Sequence, residues 1–270
     1  MTAPVLTFLS DYGLEDDFVG VCHGVIAKIC PQARVIDLTH GIRRHDVRAG
    51  ALLLREALPY TPVGVHLAVV DPDVGAQRRA VALRLADHRI LVGPDNGLLS
   101  LAAEFGGGVV EAVDIARSRF RLEPVSATFH GRDVFAPVAA ALAGGVALAE
   151  AGDPCEPQHL VALELPHARL QGGVLVVHVR YIDRFGNAQL DAGHEDLVHS
   201  GLKLGRSVEI DLGSRGTLQA HFGRTFADVA ESELLLYEDA HRRLSLAVSC
   251  GDAAARLRLG IDDELRITPR

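Results

Sequence analysis

The chain has 270 residues, 27 Lys+Arg against 35 Asp+Glu, and a formal net charge of -8. That length holds one large domain or two smaller ones at roughly 100–200 residues each, and an apolar fraction of 48% supplies a buried core. An acidic balance with no Lys/Arg run excludes nucleic acid as the main partner, because phosphate binding needs a basic footprint; a cationic small molecule is favoured instead.

In chain order, VLTFL (5–9) is a short apolar strand closed by Ser10-Asp11. The apolar positions Phe18, Val21, Val25, Ile26 and Ile29 recur at helical spacing between Asp16 and Cys30. Glu15, Asp16 and Asp17 complement that helix's N-terminal dipole, and Pro31 stops it. RVIDL (34–38) is a second strand and Asp46 to Leu58 a second helix. VGVHLAVV (63–70), AVALRLA (80–86) and RILVG (89–93) are further strands. Arg132 to Leu148 has helical content despite Pro137. Strands alternating with helices predict an α/β domain with a central, largely parallel sheet. The texture changes after Gly152. From Gly173 come short runs (VLVVHV, SVEIDL, TLQAHF, ELLLY, LSLAV) split by turn residues, with one short helix, DAAARLRL (252–259). Their spacing predicts a small β-barrel or sandwich. The expected domains are 1–168 and 169–270.

Acids within SDYGLEDD (10–17) leave no apolar leader core. The longest apolar run, 135–149, contains a proline and is too short to span a bilayer, so it reads as a buried helix. Four cysteines without a CxxC pair read as reduced thiols. A cytoplasmic protein without membrane contact is expected. No GxGxxG, GxxxxGK[ST] or GxSxG occurs, which removes the usual signatures of dinucleotide, P-loop and α/β-hydrolase sites. HEDLVH (194–199) spaces its histidines five apart, whereas a zinc-binding helix face needs four. The thirteen histidines form no other ligand-spaced cluster, so no metal is expected.

The chemistry is therefore expected in polar groups at strand ends, where open α/β sheets bind ligands. The candidates are SDYGLEDDF (10–18), VDPDVGAQRR (70–79), GPDNGLL (93–99), TFHGRDVFAP (128–137) and YIDRFGN (181–187). Each also reads singly as a cap or turn: Asp11 as a helix-cap residue, DPDVG and PDNG as tight turns, His130-Gly131 as a cap, DRFGN as a strand connection.

Taken together and in order, these segments resemble a known family. TFLSDYG, CHGVIAKICP, VIDLTH, DVRAGALLL, VVDPDVGAQRR, PDNGLLS, TFHGRDVFAPVAAALAGG and IDRFGN are similar to the S-adenosyl-L-methionine (SAM) hydrolases, or SAM hydroxide adenosyltransferases. These are relatives of the fluorinase and chlorinase enzymes. The resemblance implies hydrolysis of SAM to adenosine and L-methionine by in-line attack of water on ribose C5′, with no cofactor. It implies a homotrimer whose sites lie between one subunit's N-terminal domain and the next subunit's C-terminal β-barrel. The Asp-Arg-His set that marks the hydrolase branch falls on Asp71, Arg78 and His130, with Asp71 and His130 as the expected proton relay and Arg78 holding Asp71 ionised. Gly131 stands where a halogenating relative offers Ser.

By the same resemblance, Asp11 accepts from the ribose hydroxyls and Asp16 meets the methionine ammonium. Asp183, Phe185 and Asn187 form the C-terminal set, in which Asp183 keeps its turn reading. Three places depart from the family pattern: Asp73 in VDPDVG, Leu190-Asp191 after DRFGN, and 238–242, where His241 or Arg242 stands in for a usual contact or the contact is absent. A non-catalytic SAM- or adenosine-binding protein and a SAM-dependent halogenase are the alternatives. The Asp-Arg-His set argues against both.

Overall fold

The computed structural model describes residues 3–270, and the chain divides into two units between Leu163 and Glu164. The first unit runs β1 (Val5–Ser10), α1 (Phe18–Ile29), β2 (Arg34–Thr39), α2 (Val47–Ala57), β3 (Val65–Val69), β4 (Ala80–Leu85) and β5 (Ile90–Pro94). It continues through α3 (Ser100–Phe105), β6 (Val109–Asp114), α4 (Ala136–Ala143), α5 (Leu148–Ala151) and β7 (Asp153–Pro154). The sheet order is β2-β1-β3-β5-β4-β6-β7. The first four strands are mutually parallel, while β4 is antiparallel to both β5 and β6. Five of the seven strands (β2, β1, β3, β5, β6) thus share one direction.

Sequence alternation explains the layering. Leu6, Phe8, Val65, Leu67, Val69, Ile90 and Val92 enter one core with Val19, Cys22 and Ile26 of α1 and the buried face of α4. The intervening Leu9, Ala68 and Leu91 are also fully buried and point to the other face, where α2 and α3 pack together. Burial on both faces is why β3 and β5 read as continuous apolar runs. Asp46 caps α2 by accepting from Ala49 N–H at 2.9 Å, a contact worth about 1 kcal/mol. Asp17 occupies the same position on α1 but makes no side-chain cap bond. The helix expected over 132–148 is interrupted: a π-helical turn (Gly131–Phe135) leads into α4, with Pro137 in the first turn where its missing N–H is harmless. Gly145, at φ 100°, then separates α4 from α5.

The second unit runs β8 (Arg169–Gln171), β9 (Val174–Ile182), β10 (Ala188–Gly193), α6 (His194–His199), β11 (Arg206–Asp211) and β12 (Thr217–Phe222). It ends with β13 (Leu234–Glu238), β14 (Arg243–Val248), α7 (Ala253–Leu257) and β15 (Glu264–Pro269). The order β10-β14-β13-β12-β11-β15-β9 closes through a β9–β10 pairing, with β8 added beside β9. It is a closed seven-stranded barrel filled by inward Leu, Ile and Val.

Two of its strands were not evident as apolar runs. β10 carries Gln189 and Asp191, whose polarity is absorbed by bonds to Asp239 and His178. β15 alternates exposed Glu264 and Arg266 with buried Leu265 and Ile267. HEDLVH forms α6, although its histidine spacing rules out a shared ligand face. Among the described residues no helix is long and apolar enough to cross a membrane.

Candidate active site

The topology gathers the strand-end motifs of the first unit. β1, β3 and β5 are parallel, so Asp11, Asp71 and Asp95-Asn96, which follow them, lie along one carboxyl edge. β4 is antiparallel to β5, with Ala80 opposite Pro94, so Arg78 and Arg79 at its start return to the same edge. Asn96 ties the edge together by donating from Nδ2 to the Val70 carbonyl at 2.9 Å, directly before Asp71. Arg79 donates to Asp95 at 2.8 Å, and Asp95 accepts from Val161 N–H at 2.8 Å. The PDNG segment is thus a structural brace as well as a turn.

Asp71, Arg78 and His130 come together with Arg78 in the middle. Arg78 Nε donates to Asp71 Oδ1 at 2.9 Å and Oδ2 at 3.0 Å, and Nη2 also bonds Oδ2. Nη2 reaches His130 Nδ1 at 2.9 Å. Both members of the ion pair are nearly buried, with side chains 8% and 6% exposed. The guanidinium also lies over the Phe135 ring, 5.2 Å from its centroid. Among the described residues no hydrogen bond joins Asp71 directly to His130. Arg78 thus stands between the two residues of the expected relay, linking them in an Asp71–Arg78–His130 chain. A guanidinium only donates, so His130 Nδ1 is the acceptor and the neutral ring carries its proton on Nε2. Burial first, then the Arg78 charge, pushes the His130 pKa below its ordinary value, against the opposing pull of Asp71 and Asp133.

The loop carrying His130 is held by Asp133. Its buried carboxylate accepts from Arg132 Nε at 2.6 Å and from Ser126 N–H at 2.8 Å. Burial opposes ionisation, but those bonds outweigh it and hold Asp133 below the usual carboxylate range. Gly75, at φ 81°, brings the 71–78 loop against this segment: a Cβ there would sit 2.5 Å from the Ala127 carbonyl oxygen.

Sequence reasoning missed Tyr12. Its ring packs edge-on against Phe8 and Phe129 and tilted against Phe18, and its hydroxyl lies against Gly131, beside His130. Burial, and secondarily the nearby Cys22, Asp11 and Asp71, raise its pKa well above the ordinary value, so it stays protonated. A lone tyrosine following Asp11 in a chain with only 5% aromatics was the available signal. Asp11 accepts from His45 N–H at 2.9 Å, while Asp16 lies exposed in the irregular stretch before α1.

In the second unit, Asp183, Phe185 and Asn187 share the β9–β10 turn. Asp183 Oδ1 accepts from Phe185 N–H at 2.8 Å and Asn187 N–H at 2.9 Å, and Oδ2 accepts from Asn187 Nδ2 at 2.8 Å. Its turn reading is therefore real, and it shapes a loop that leaves Phe185 70% exposed. The divergent positions have structural work. Asp191 clamps His178 through two bonds of 2.8 Å. Asp239 accepts from His241 N–H and Arg243 N–H, and Arg242 pairs with Glu238 at 3.2 Å.

Residues 6–152 match the family model described as SAM hydroxide adenosyltransferase N-terminal domain, and residues 177–266 match SAM hydroxide adenosyltransferase C-terminal domain. The chain is 47% identical over 265 residues to the (R)-S-adenosyl-L-methionine hydrolase of Salinispora tropica, covering 98% of each protein. It is 27% identical over 292 residues to the fluorinase of Nocardia brasiliensis, covering 98% of this chain and 97% of that one. Among solved structures, an uncharacterized conserved protein from Thermotoga maritima aligns with a TM-score of 0.91 at 33% identity, covering 97% of this chain and 99% of that one.

Proposed function

Because this chain belongs to the SAM hydroxide adenosyltransferase family, we propose that it is an enzyme that hydrolyses SAM to adenosine and L-methionine, with Asp71, Arg78 and His130 activating the water. The observation that carries this reading is the nearly buried Asp71–Arg78–His130 chain at the carboxyl edge of the sheet. A protein that only bound SAM, the second reading, has no need of a water-activating set.

Water attacks ribose C5′ in line with the departing sulfur. The C5′–O bond forms as the C5′–S bond breaks, and the sulfonium leaves as a neutral thioether, so departure needs no general acid and the reaction needs no cofactor. The demand falls on the water, a weak nucleophile at neutral pH. The Arg78 contact occupies the only lone pair of the neutral His130 ring, so His130 Nε2–H orients the water oxygen as a donor. The water's proton passes to Asp71, whose carboxylate offers about four acceptor sites and pairs with Arg78. Alignment of oxygen, C5′ and sulfur supplies the remainder of the rate.

Asp11 binds the ribose diol with its two oxygens, and Asp16 pairs with the methionine ammonium. Asp183, Phe185 and Asn187 complete the pocket from a neighbouring subunit of a homotrimer, Phe185 offering an apolar face. The exposed Phe185 ring and the exposed Asp16 carboxylate support ligand contacts of this kind. We place the enzyme in the cytoplasm, where thiols stay reduced.

Mass-resolved chromatography of SAM incubated with the protein in chloride buffer tests the activity. Adenosine with methionine is expected. Intact SAM would favour the binding reading, and a 5′-halo product would mean halogenation. His130→Gln keeps an N–H donor and should retain more turnover than His130→Ala, while Asp71→Asn should lower kcat by roughly 10²–10⁴-fold with SAM binding intact. Equal loss in both His130 variants would make the ring a base and not a donor.

A further inference from the structure

Outside this site, α1, β2 and the residue that follows β2 bring three potential ligands together: His23, Asp37 and His40. Their ligand atoms all lie within 4.8 Å of one another. His23 Nε2 is 2.9 Å and His40 Nε2 3.1 Å from the same oxygen, Asp37 Oδ1.

His40 sets this cluster apart from an ordinary surface group of ion pairs. Its side chain is only 3% exposed, yet Nε2 has no hydrogen bond of acceptable geometry. A buried ring nitrogen with no well-aligned hydrogen bond is costly and calls for an occupant. The other nitrogen, Nδ1, is 2.7 Å from Ser10 Oγ, and Phe8 meets the ring edge-on at 4.7 Å. The ring is thus locked with Nε2 facing Asp37 and His23. An outer hydrogen bond of this kind fixes tautomer and orientation in metal-binding histidines. His23 and Asp37 are 35% and 43% exposed, which leaves a solvent-facing side open for water ligands.

We propose that His23, Asp37 and His40 form a binding site for a divalent transition-metal ion, Zn²⁺ by preference, with water completing the coordination. Two imidazoles and one carboxylate suit Zn²⁺. Bonds of roughly 2.0–2.2 Å in tetrahedral geometry put neighbouring ligand atoms about 3.3–3.5 Å apart, so the two His–Asp separations of 2.9 and 3.1 Å need only a few tenths of an ångström of spreading to admit the ion. Spacing along the chain could not reveal the site, because the helix and the strand converge only in the fold. The site is separate from the Asp71–Arg78–His130 chain and does not depend on the hydrolase reading.

The test is calorimetric titration of the chelator-treated full-length protein with Zn²⁺, repeated with Co²⁺ and followed by visible absorption. One saturable ion per chain is expected, with the d–d bands of tetrahedral Co²⁺. His23→Ala and Asp37→Asn, both at partly exposed positions, should each weaken binding by at least about tenfold while keeping the wild-type far-ultraviolet circular dichroism and SAM hydrolysis. If His23→Ala fails to fold, Asp37→Asn decides. Absence of saturable binding, or one-to-one binding unchanged in the folded variants, overturns the proposal.

Discussion

A Cβ built on Gly131 would lie 2.0 Å from the Tyr12 hydroxyl and 3.0 Å from its Cζ, so glycine at this position is set by packing next to His130 and not by backbone freedom. Gly131→Ala should destabilise the protein by roughly 1–3 kcal/mol, the usual cost of overpacking. Tyr12→Phe in the same chain should return part of that loss, and a denaturant double-mutant cycle measures the coupling. Arg78 is the other single residue on which the site depends. Arg78→Ala leaves the Asp71 carboxylate buried and unpaired, at a cost of roughly 3–5 kcal/mol, and should lower kcat more than it raises KM. Steady-state kinetics beside urea unfolding would separate the two effects. Arg78→Lys should be nearly as damaging to kcat, because an ammonium cannot span Asp71 and His130 as the planar fork does.

At the scale of elements, the π-helical turn before α4 aims His130, and Asp133 within it ties that turn to the 122–126 segment through Ser126 N–H and its own carbonyl bond to Leu122 N–H. Its folded pKa is depressed, so the stability it contributes is complete above the unfolded value of about 3.9 and is lost as pH falls through the lower folded value. Asp133→Asn should accordingly be less stable than wild type at neutral pH, with the gap closing in strong acid. Chemical denaturation at a series of pH values would show this convergence. In the sequence this region was legible only as helical content with an internal proline. The π-turn was not, because its carbonyl partners are decided by Asp133 and by the packing of Phe135 under Arg78, neither of which is a helical-periodicity signal.

For the molecule as a whole, His66 in β3 is a buried group that couples folding to pH in mild acid. It is fully buried, shares a 2.9 Å hydrogen bond with Thr7 Oγ1, and burial pushes its pKa down to about 4. The unfolded chain binds that proton at about 6.5. Between those values the unfolded state holds more protons, and stability falls with decreasing pH by about 3 kcal/mol in total. His66→Asn should flatten this part of the stability profile while lowering the plateau at neutral pH, as read from thermal unfolding between pH 4 and 7.

The sequence by itself determined the elements whose pattern is local. The apolar runs of β1, β3, β4 and β5, the helix α2 beginning at Asp46, and the change to short barrel strands after Gly152 all follow from propensity and periodicity within one segment. The motifs at strand ends, with their family resemblance, named the candidate residues of the site. Tertiary structure decided what depends on which segments meet. Arg78 stands between Asp71 and His130 because antiparallel β4 returns it to the carboxyl edge of β3 and β5. Tyr12 reaches Gly131 across the aromatic cluster, and His23 faces Asp37 and His40 across the junction of α1 and β2. Sequence spacing governs geometry only inside a single helix, strand or turn. Between elements, distance is set by sheet order and core packing, and those close only when the whole unit folds.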